Sequence, residues 1–222
     1  MLAVQGPNAL TTFQRVVGDE AHGLARHECR LIPWRGDRLL VARTGYTGED
    51  DVECAAPAGL GAALWDALLE ADAAPIGIGA RDTLRLEASL PLHGSDISPS
   101  THPFEAGLGW AIPSDDGADF TGRKSLLQLK ETPVTRRLAQ IQSSSRAVFR
   151  QGYPVHIPTC EDAGAPATLT SGAFGPTLEM GIGMSYLPAR CARVGTGVEV
   201  SVRDRPVPAQ VIRRPFFKRS SP

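Results

Sequence analysis

The sequence predicts an α+β protein in which a mixed region of helices and antiparallel strands precedes a small β-barrel. In the first half of the 222 residues, helical and strand-like patterns alternate. From about residue 134 onward, short β-rich runs separated by glycine and proline follow one another closely, which is typical of a small antiparallel barrel or sandwich. The break at Thr132-Pro133 separates the two patterns, so we predict one domain over residues 1–132 and a second over residues 133–222.

The first predicted elements are a short strand and a helix. Residues 2–5 form an apolar run that ends at Gly6-Pro7. Asn8 is a suitable N-cap, and we expect it to begin a helix over residues 9–17.

Three strands and two helices follow in the mixed region. Strand-like runs at residues 29–34 and 39–44 are joined by a turn-rich segment, and residues 52–55 can pair back onto them. Apolar residues recur at helical spacing over residues 60–68, and a further helix is predicted over residues 80–90.

The second region begins after a helix that we predict to start at Thr121. Its β-rich runs are the strands of the expected barrel. They cover residues 138–142, 167–170, 183–187, 198–202 and 207–212.

Composition and charge exclude several classes of protein. Hydrophobic residues make up 42% of the chain and charged residues 21%, as in ordinary globular proteins. The net charge of −1 provides no overall field that would attract nucleic acid or an anionic membrane. No apolar run approaches the roughly 20 residues of a membrane-spanning helix, and no secretion signal opens the chain. We therefore expect a cytoplasmic protein without nucleic-acid or membrane partners.

The four cysteines are scattered along the chain. Cys29, Cys54, Cys160 and Cys191 form no Cys-x-x-Cys pair and have no neighbouring histidine at metal-binding spacing. This pattern predicts free thiols in a reducing compartment, and neither a disulfide framework nor a metal site.

Residues 43–53 form the most informative segment. Two glycines and two threonines surround Tyr46 between strand-like runs, which predicts a tight connection that presents the aromatic ring. If Val52 packs inward on a strand, Glu53 and Asp51 turn to the opposite face. The pattern alone favours a hairpin with an acidic, solvated tip over a binding site.

Two further residues stand out in their local context. Arg81 lies in the first turn of a predicted helix, where a cation opposes the helix dipole, so we expect an anion or an acidic partner to hold it. Trp110 follows Gly107 and Gly109 and can cover a ligand ring or anchor the core. Considered singly, the tryptophan is predicted to be a core anchor.

Seven segments of the chain form one ordered set of motifs. They are residues 2–7, 43–53, 79–87, 105–110, 120–123, 170–172 and 215–216. Taken together and in this order, they resemble the aminomethyltransferase family of the glycine cleavage system, whose members are called T-proteins. The resemblance extends over essentially the whole chain.

The resemblance implies a fold and a reaction. T-proteins have three lobes around a central folate channel, and the last lobe is a β-barrel. They take the aminomethyl group carried on the lipoyl arm of the H-protein, release ammonia, and pass the one-carbon unit to tetrahydrofolate as 5,10-methylene-tetrahydrofolate. The implied cofactor is therefore tetrahydrofolate, and the implied protein partner is the lipoylated H-protein.

The resemblance also implies four folate-binding residues. Glu53 matches the glutamate that binds the pterin, since one carboxylate can accept the two adjacent N–H donors of the amino-pyrimidine edge. Tyr46 and Trp110 match aromatic residues that line the folate channel. Arg81 matches an arginine at the folate site.

No catalytic residue is assigned, because the aspartate that the family uses lies upstream of the segment with which this sequence begins. We accordingly expect an N-terminally shortened form with impaired activity, or a gene model begun at the wrong methionine. Two alternatives stay open: another folate-dependent member of the superfamily, such as a demethylase, and a non-catalytic folate-binding or scaffold protein.

Overall fold

The computed structural model describes residues 1–113, 119–160 and 166–219. The chain divides into two compact units. The N-terminal unit is Met1–Leu90, which Lys218 and Arg219 join, and the C-terminal unit is Pro91–Phe217. The domain boundary expected near residue 132 stays a prediction.

The N-terminal unit contains a four-stranded sheet whose strands are all antiparallel, in the order β1-β4-β3-β2. The predicted α+β architecture is confirmed here, including the return of the fourth strand to pair with its predecessors. The strands are β1 (Leu2–Val4), β2 (Cys29–Trp34), β3 (Asp37–Ala42) and β4 (Val52–Ala55). The helices of this unit are α1 (Ala9–Val17), α2 (Gly61–Glu70) and α3 (Ile78–Glu87).

The core of this unit lies between one face of the sheet and the first two helices. Side chains at alternate strand positions, such as Ile32, Leu39 and Val52, are buried against Phe13 of α1 and Leu64 of α2. Burying each such side chain contributes roughly 1.5–3 kcal/mol. The apolar residues that set the strand period therefore also decide which face of the sheet is left for function.

Helix α1 has the predicted bounds, but its cap and the start of α3 differ from the predictions. Asn8 makes no side-chain cap, and the first turn of α1 is closed instead by the Ala9 N–H, which donates to the Gly6 carbonyl at 3.0 Å. Helix α3 begins at Ile78 because the extended Gly77 precedes it and accepts the Ala80 N–H at 3.1 Å. At both helix starts a backbone carbonyl accepts a first-turn N–H group, and in α1 it does so in place of the predicted Asn8 side chain.

In its described residues, the C-terminal unit has one α-helix and a closed barrel, and the barrel confirms the predicted second architecture. The barrel order is β10-β5-β8-β7-β6-β9, so each of its strands has a partner on both sides. The elements are α4 (Arg123–Glu131), β5 (Arg136–Ser143), β6 (Pro154–His156), β7 (Ala167–Gly175), β8 (Met180–Pro188), β9 (Gly197–Val202) and β10 (Arg205–Ile212). The sequence did not indicate β6, which has only three residues and begins with proline.

The prediction of four free thiols is wrong for two of them. Cys160 and Cys191 form a disulfide, with Cα atoms 6.5 Å apart and 31 positions apart in the sequence. The barrel brings together the segments after β6 and β8, which no local spacing could indicate. Cys29 and Cys54 are free, and burial raises the pKa of the Cys54 thiol to about 11, so this thiol is unreactive at neutral pH.

Within the described part of the chain, no helix has both the length and the apolar character that crossing a membrane requires.

The disulfide is expected to stabilise the barrel. Cys160→Ser or reduction should lower the free energy of unfolding of the C-terminal unit by about 3–4 kcal/mol, since the closed loop is about 30 residues long. Urea unfolding with and without reductant measures this difference, with Cys29→Ser as the matched control. An oxidised and a reduced chain that unfold at the same midpoint would contradict the prediction.

Candidate functional site

The connection between β3 and β4 is closed by an ion pair. The Arg43 guanidinium donates to both carboxylate oxygens of Asp50, at 2.8 and 2.6 Å, and its third nitrogen donates to the Leu24 carbonyl at 2.6 Å. This two-point contact holds the pKa of Asp50 below its ordinary value. Because Arg43 follows β3 and Asp50 precedes β4, the pair fixes both ends of the loop.

A second carboxylate fastens the loop to the first strand. Asp51 is buried and accepts the Gly6 N–H at 2.9 Å, the Thr47 N–H at 3.2 Å and the Thr47 hydroxyl at 2.6 Å. Its side chain occupies the space in which a Cβ atom on Gly45 would lie. Position 45 therefore requires glycine for steric reasons, and the loop has one tightly packed arrangement.

Glu53 faces away from the core, as the strand period predicts. Its neighbours Val52 and Cys54 are buried, whereas Glu53 lies half-buried on the opposite face of the sheet. The Thr44 hydroxyl donates to Glu53 Oε2 at 2.5 Å. Among the residues that the structure describes, none donates a hydrogen bond to Oε1. One oxygen of this carboxylate is thus oriented by the protein, and the other can accept a ligand.

Tyr46 and Arg81 are brought together within the same unit. The Arg81 guanidinium lies over the Tyr46 ring, with Cζ 4.6 Å from the ring centroid. Arg81 is exposed, and no carboxylate in the described ranges pairs with it. The cation that opposes the dipole of α3 is therefore held by an aromatic face, which stabilises it by about 0.5–1 kcal/mol at an exposed site.

Helix α3 is fixed against the loop that carries Tyr46. A Cβ atom on Gly48, where φ is +80°, would lie 2.9 Å from Ala88 Cβ, so the loop and the end of α3 are in close contact. The buried Arg85 donates to Asp82 at 2.8 Å and to the Leu90 carbonyl at 3.1 Å. These contacts hold the Tyr46–Arg81 pair in place.

Trp110 belongs to the C-terminal unit and is not the core anchor that its segment alone predicts. Its side chain is 78% exposed, on a short 3₁₀ turn at Gly109–Ala111. Phe104 fills the space beside Gly109, where a Cβ atom would lie 2.9 Å from the ring. With Leu126, Trp110 lines a depression of about 250 Å³.

Two buried carboxylates of the C-terminal unit, Glu105 and Asp96, were not identified from the sequence. Glu105 accepts from Arg136 at 2.8 and 3.2 Å, which holds the pKa of Glu105 below its ordinary value. Asp96 accepts from Thr170 at 2.5 Å and from Ser171 at 2.8 Å. Glu105 and Asp96 each join the segment before Trp110 to a barrel strand. In the sequence, these contacts are indicated only by the family-matching segments 105–110, which contains Glu105, and 170–172, which contains the two hydroxyl partners of Asp96.

The chain matches two family models of known proteins. Residues 1–116 match the family model of the GCVT N-terminal domain, and residues 136–218 match the glycine cleavage T-protein C-terminal barrel domain.

Curated relatives of similar sequence are named aminomethyltransferase. The protein from Synechococcus sp. (strain CC9902) is 43% identical over 221 residues, which are 99% of this chain and 60% of the relative. The protein from Prochlorococcus marinus (strain MIT 9313) is 41% identical over 227 residues, with 100% of this chain and 60% of the relative covered. The chain therefore spans about 60% of the length of these relatives.

A solved structure has the same fold. The crystal structure of the glycine cleavage system aminomethyltransferase T from Bartonella henselae superposes with a TM-score of 0.85 at 33% identity. The superposition covers 97% of this chain and 58% of that chain.

The steric requirement at position 45 can be tested by adding one methyl group. Gly45→Ala should lower the free energy of unfolding of the N-terminal unit by about 1–3 kcal/mol, because the methyl overlaps the Asp51 side chain. Gly59→Ala is the matched control, since a Cβ atom there meets open space. Equal urea midpoints for the two variants would contradict the packing described.

The Arg43–Asp50 pair predicts a pH dependence of stability. Asp50→Asn should lower the free energy of unfolding by about 1 kcal/mol at pH 7, after allowance for solvent screening at this partly exposed pair. Because the pKa of Asp50 is lowered in the folded state, the contribution is present above the ordinary carboxyl pKa and disappears as the pH falls through the lowered value.

A urea-unfolding series from pH 7 to below about pH 4 measures this effect, because ordinary aspartates titrate near that pH. Asp66→Asn, on the exposed side of α2, is the control. A difference between wild type and Asp50→Asn that does not change across the series would contradict the ion-pair account.

Proposed function

We propose, from the premise that the chain belongs to the aminomethyltransferase (glycine cleavage T-protein) family, that it binds tetrahydrofolate through Glu53 and acts in aminomethyl transfer. In this reaction the one-carbon unit leaves the aminomethyl-lipoyl arm of the H-protein, ammonia is released, and 5,10-methylene-tetrahydrofolate forms. The lipoylated H-protein as partner and a cytoplasmic location are parts of the same proposal.

The observation that carries the proposal is that the Glu53 carboxylate is oriented by one hydrogen bond and retains acceptor positions for a ligand. Thr44 bonds to Oε2, which leaves Oε1 and the second lone pair of Oε2 as acceptors. The amino-pyrimidine edge of a pterin presents two adjacent N–H donors, and a carboxylate accepts such a pair side by side. The residues present therefore fit this part of tetrahydrofolate.

The pair of Tyr46 and Arg81 supports the same ligand. The ring is a flat apolar surface, and the guanidinium above it retains exposed N–H donors. Folate combines a flat ring system with the carboxylates of its glutamate tail. We propose that Arg81 attracts the anionic part of the ligand while Tyr46 excludes water beside it.

Trp110 is proposed separately as a stacking residue of the C-terminal unit. A tryptophan that is 78% exposed contributes little to the core, whereas its ring can cover a flat ligand. Its contribution is measured by its own variant, Trp110→Leu, in the titration described below.

No residue of this set is assigned as catalytic. Glu53, Tyr46, Arg81 and Trp110 bind and orient in this proposal, and efficient transfer also requires a carboxylate within hydrogen-bond reach of the reacting nitrogen. A non-catalytic folate binder is therefore the second candidate. A demethylase is not favoured, since the relatives named above are aminomethyltransferases.

Titration calorimetry with tetrahydrofolate tests the binding proposal. Glu53→Gln should weaken binding about 10- to 100-fold, because a hydrogen bond to a charged acceptor contributes about 1.5–3 kcal/mol. In addition, the amide nitrogen of the glutamine would place its own N–H donors against the N–H donors of the pterin. Glu70→Gln, on the exposed end of α2, is the matched control. Undiminished affinity of Glu53→Gln would remove the central assignment.

A turnover assay with aminomethylated H-protein then separates the two candidates. Ammonia release that depends on tetrahydrofolate identifies an enzyme, and saturable binding without ammonia release identifies a folate binder.

A further inference from the structure

The disulfide of the C-terminal unit lies beside an open cavity. The cavity has a volume of about 510 Å³, and both Cys160 and Cys191 line it. The other described residues of its lining are Pro158, Thr159, Arg190, Arg193 and Thr196. Both cysteines therefore border space that a dissolved molecule can enter.

The two cysteines differ in exposure. Cys191 is only 6% exposed and belongs to the apolar core of the barrel, whereas Cys160 is half-buried and packs against the edge of that core. A thiolate that opens a disulfide must approach one of the two sulfur atoms directly. Cys160 is therefore the sulfur that an entering thiolate attacks, and Cys191 is the sulfur that leaves.

Two arginines give the cavity a positive charge. Arg190 directly precedes Cys191, Arg193 follows it by two positions, and both side chains are exposed and line the cavity. The described lining contains no carboxylate. The attacking sulfur and the leaving sulfur both carry negative charge, so guanidinium groups beside them favour the exchange.

Backbone hydrogen bonds position both cysteines independently of the bond between their sulfur atoms. The Cys160 N–H donates to the Ile157 carbonyl at 3.0 Å, and the Cys191 N–H donates to the Pro188 carbonyl at 2.8 Å. The Cα atoms of the two cysteines are 6.5 Å apart, within the range over which a disulfide closes. Opening of the bond is therefore reversible, because both thiols stay where they can pair again.

We propose that Cys160 and Cys191 form a reversible thiol–disulfide exchange site whose substrate is a dithiol that enters this cavity. A dithiol suits the site because its second thiol is held next to the first intermediate and completes the reaction without another encounter. The stability of the barrel then follows the balance of dithiol and disulfide around the protein, a property independent of folate binding.

The exchange has two steps. A thiolate of the dithiol attacks Cys160 Sγ, a mixed disulfide forms, and the electron pair of the broken bond leaves on Cys191 Sγ. The second thiolate of the dithiol then attacks the sulfur to which the first is bound at Cys160, which releases the Cys160 thiolate. The dithiol leaves as a cyclic disulfide, and its two protons pass to the two cysteines, so the protein is reduced as the dithiol is oxidised.

Mass spectrometry of the folded, oxidised chain tests which sulfur is attacked. Reduced glutathione is a monothiol, so its mixed disulfide can be trapped with acid, and the remaining thiols can be alkylated in denaturant. We expect glutathione on Cys160 and the alkyl group on Cys191, in at least about tenfold excess over the reverse pattern. Equal labelling of the two cysteines, or the reverse pattern, would overturn the assignment.

The rate of reduction measures the effect of the charged cavity. Arg193→Gln should slow reduction by dihydrolipoamide about three- to tenfold, because it removes one cation beside the reacting sulfur atoms. Arg203→Gln is the matched control, since Arg203 is exposed in the same unit and lies outside the described lining. Equal rates for the two variants would contradict the role of the cavity.

Two dithiols distinguish the possible sources of the reductant. Dihydrolipoamide represents a small dithiol and reduced thioredoxin a protein dithiol, and faster reduction by one of them identifies the source. A disulfide that neither reduces in the folded chain, or a reduced pair that oxidised lipoamide does not close again, would overturn the proposal. These outcomes are separate from loss of tetrahydrofolate binding, which the Glu53 titration measures.

Discussion

The ion pair between Arg43 and Asp50 closes the connection between β3 and β4, and the geometry of the N-terminal site depends on it. The four-residue stretch from Asp50 to Glu53 contains three acids, and each has a different partner. Arg43 holds Asp50, the Gly6 N–H and Thr47 hold Asp51, and Thr44 orients Glu53. The first two carboxylates close the loop, whereas one oxygen of the third accepts no hydrogen bond from the described residues.

The C-terminal unit fixes its own segments in the same physical way. Glu105 and Asp96 are buried carboxylates that accept hydrogen bonds from barrel side chains. These hydrogen bonds offset the free-energy cost of burying their charge. In both units a buried carboxylate, Asp51 or Asp96, holds a loop, whereas Arg81 and Trp110 are exposed.

The sequence predicted the parts of the fold that depend on periodicity. Alternation identified β2, β3 and β4 and placed Glu53 opposite Val52, because apolar side chains must share one face. It could not indicate the Cys160–Cys191 pair or the anchoring of Asp96, since both join segments that are distant along the chain. The sequence also could not indicate that Trp110 is exposed, because a single tryptophan fits a core and a surface equally well. The proposal of a folate ligand comes from the resemblance of the motifs, and the hydrogen bond between Thr44 and Glu53 is compatible with it.

The most direct test of the central claim follows the Glu53 side chain itself. Carbon-13 NMR of glutamate-labelled protein during a tetrahydrofolate titration reports the carboxyl resonance of Glu53, which the Glu53→Gln variant assigns. The account predicts a saturable shift of this resonance, with Glu70 unchanged. Saturable binding of tetrahydrofolate with the Glu53 resonance unmoved would contradict it, because the ligand would then be bound without the carboxylate that the loop presents.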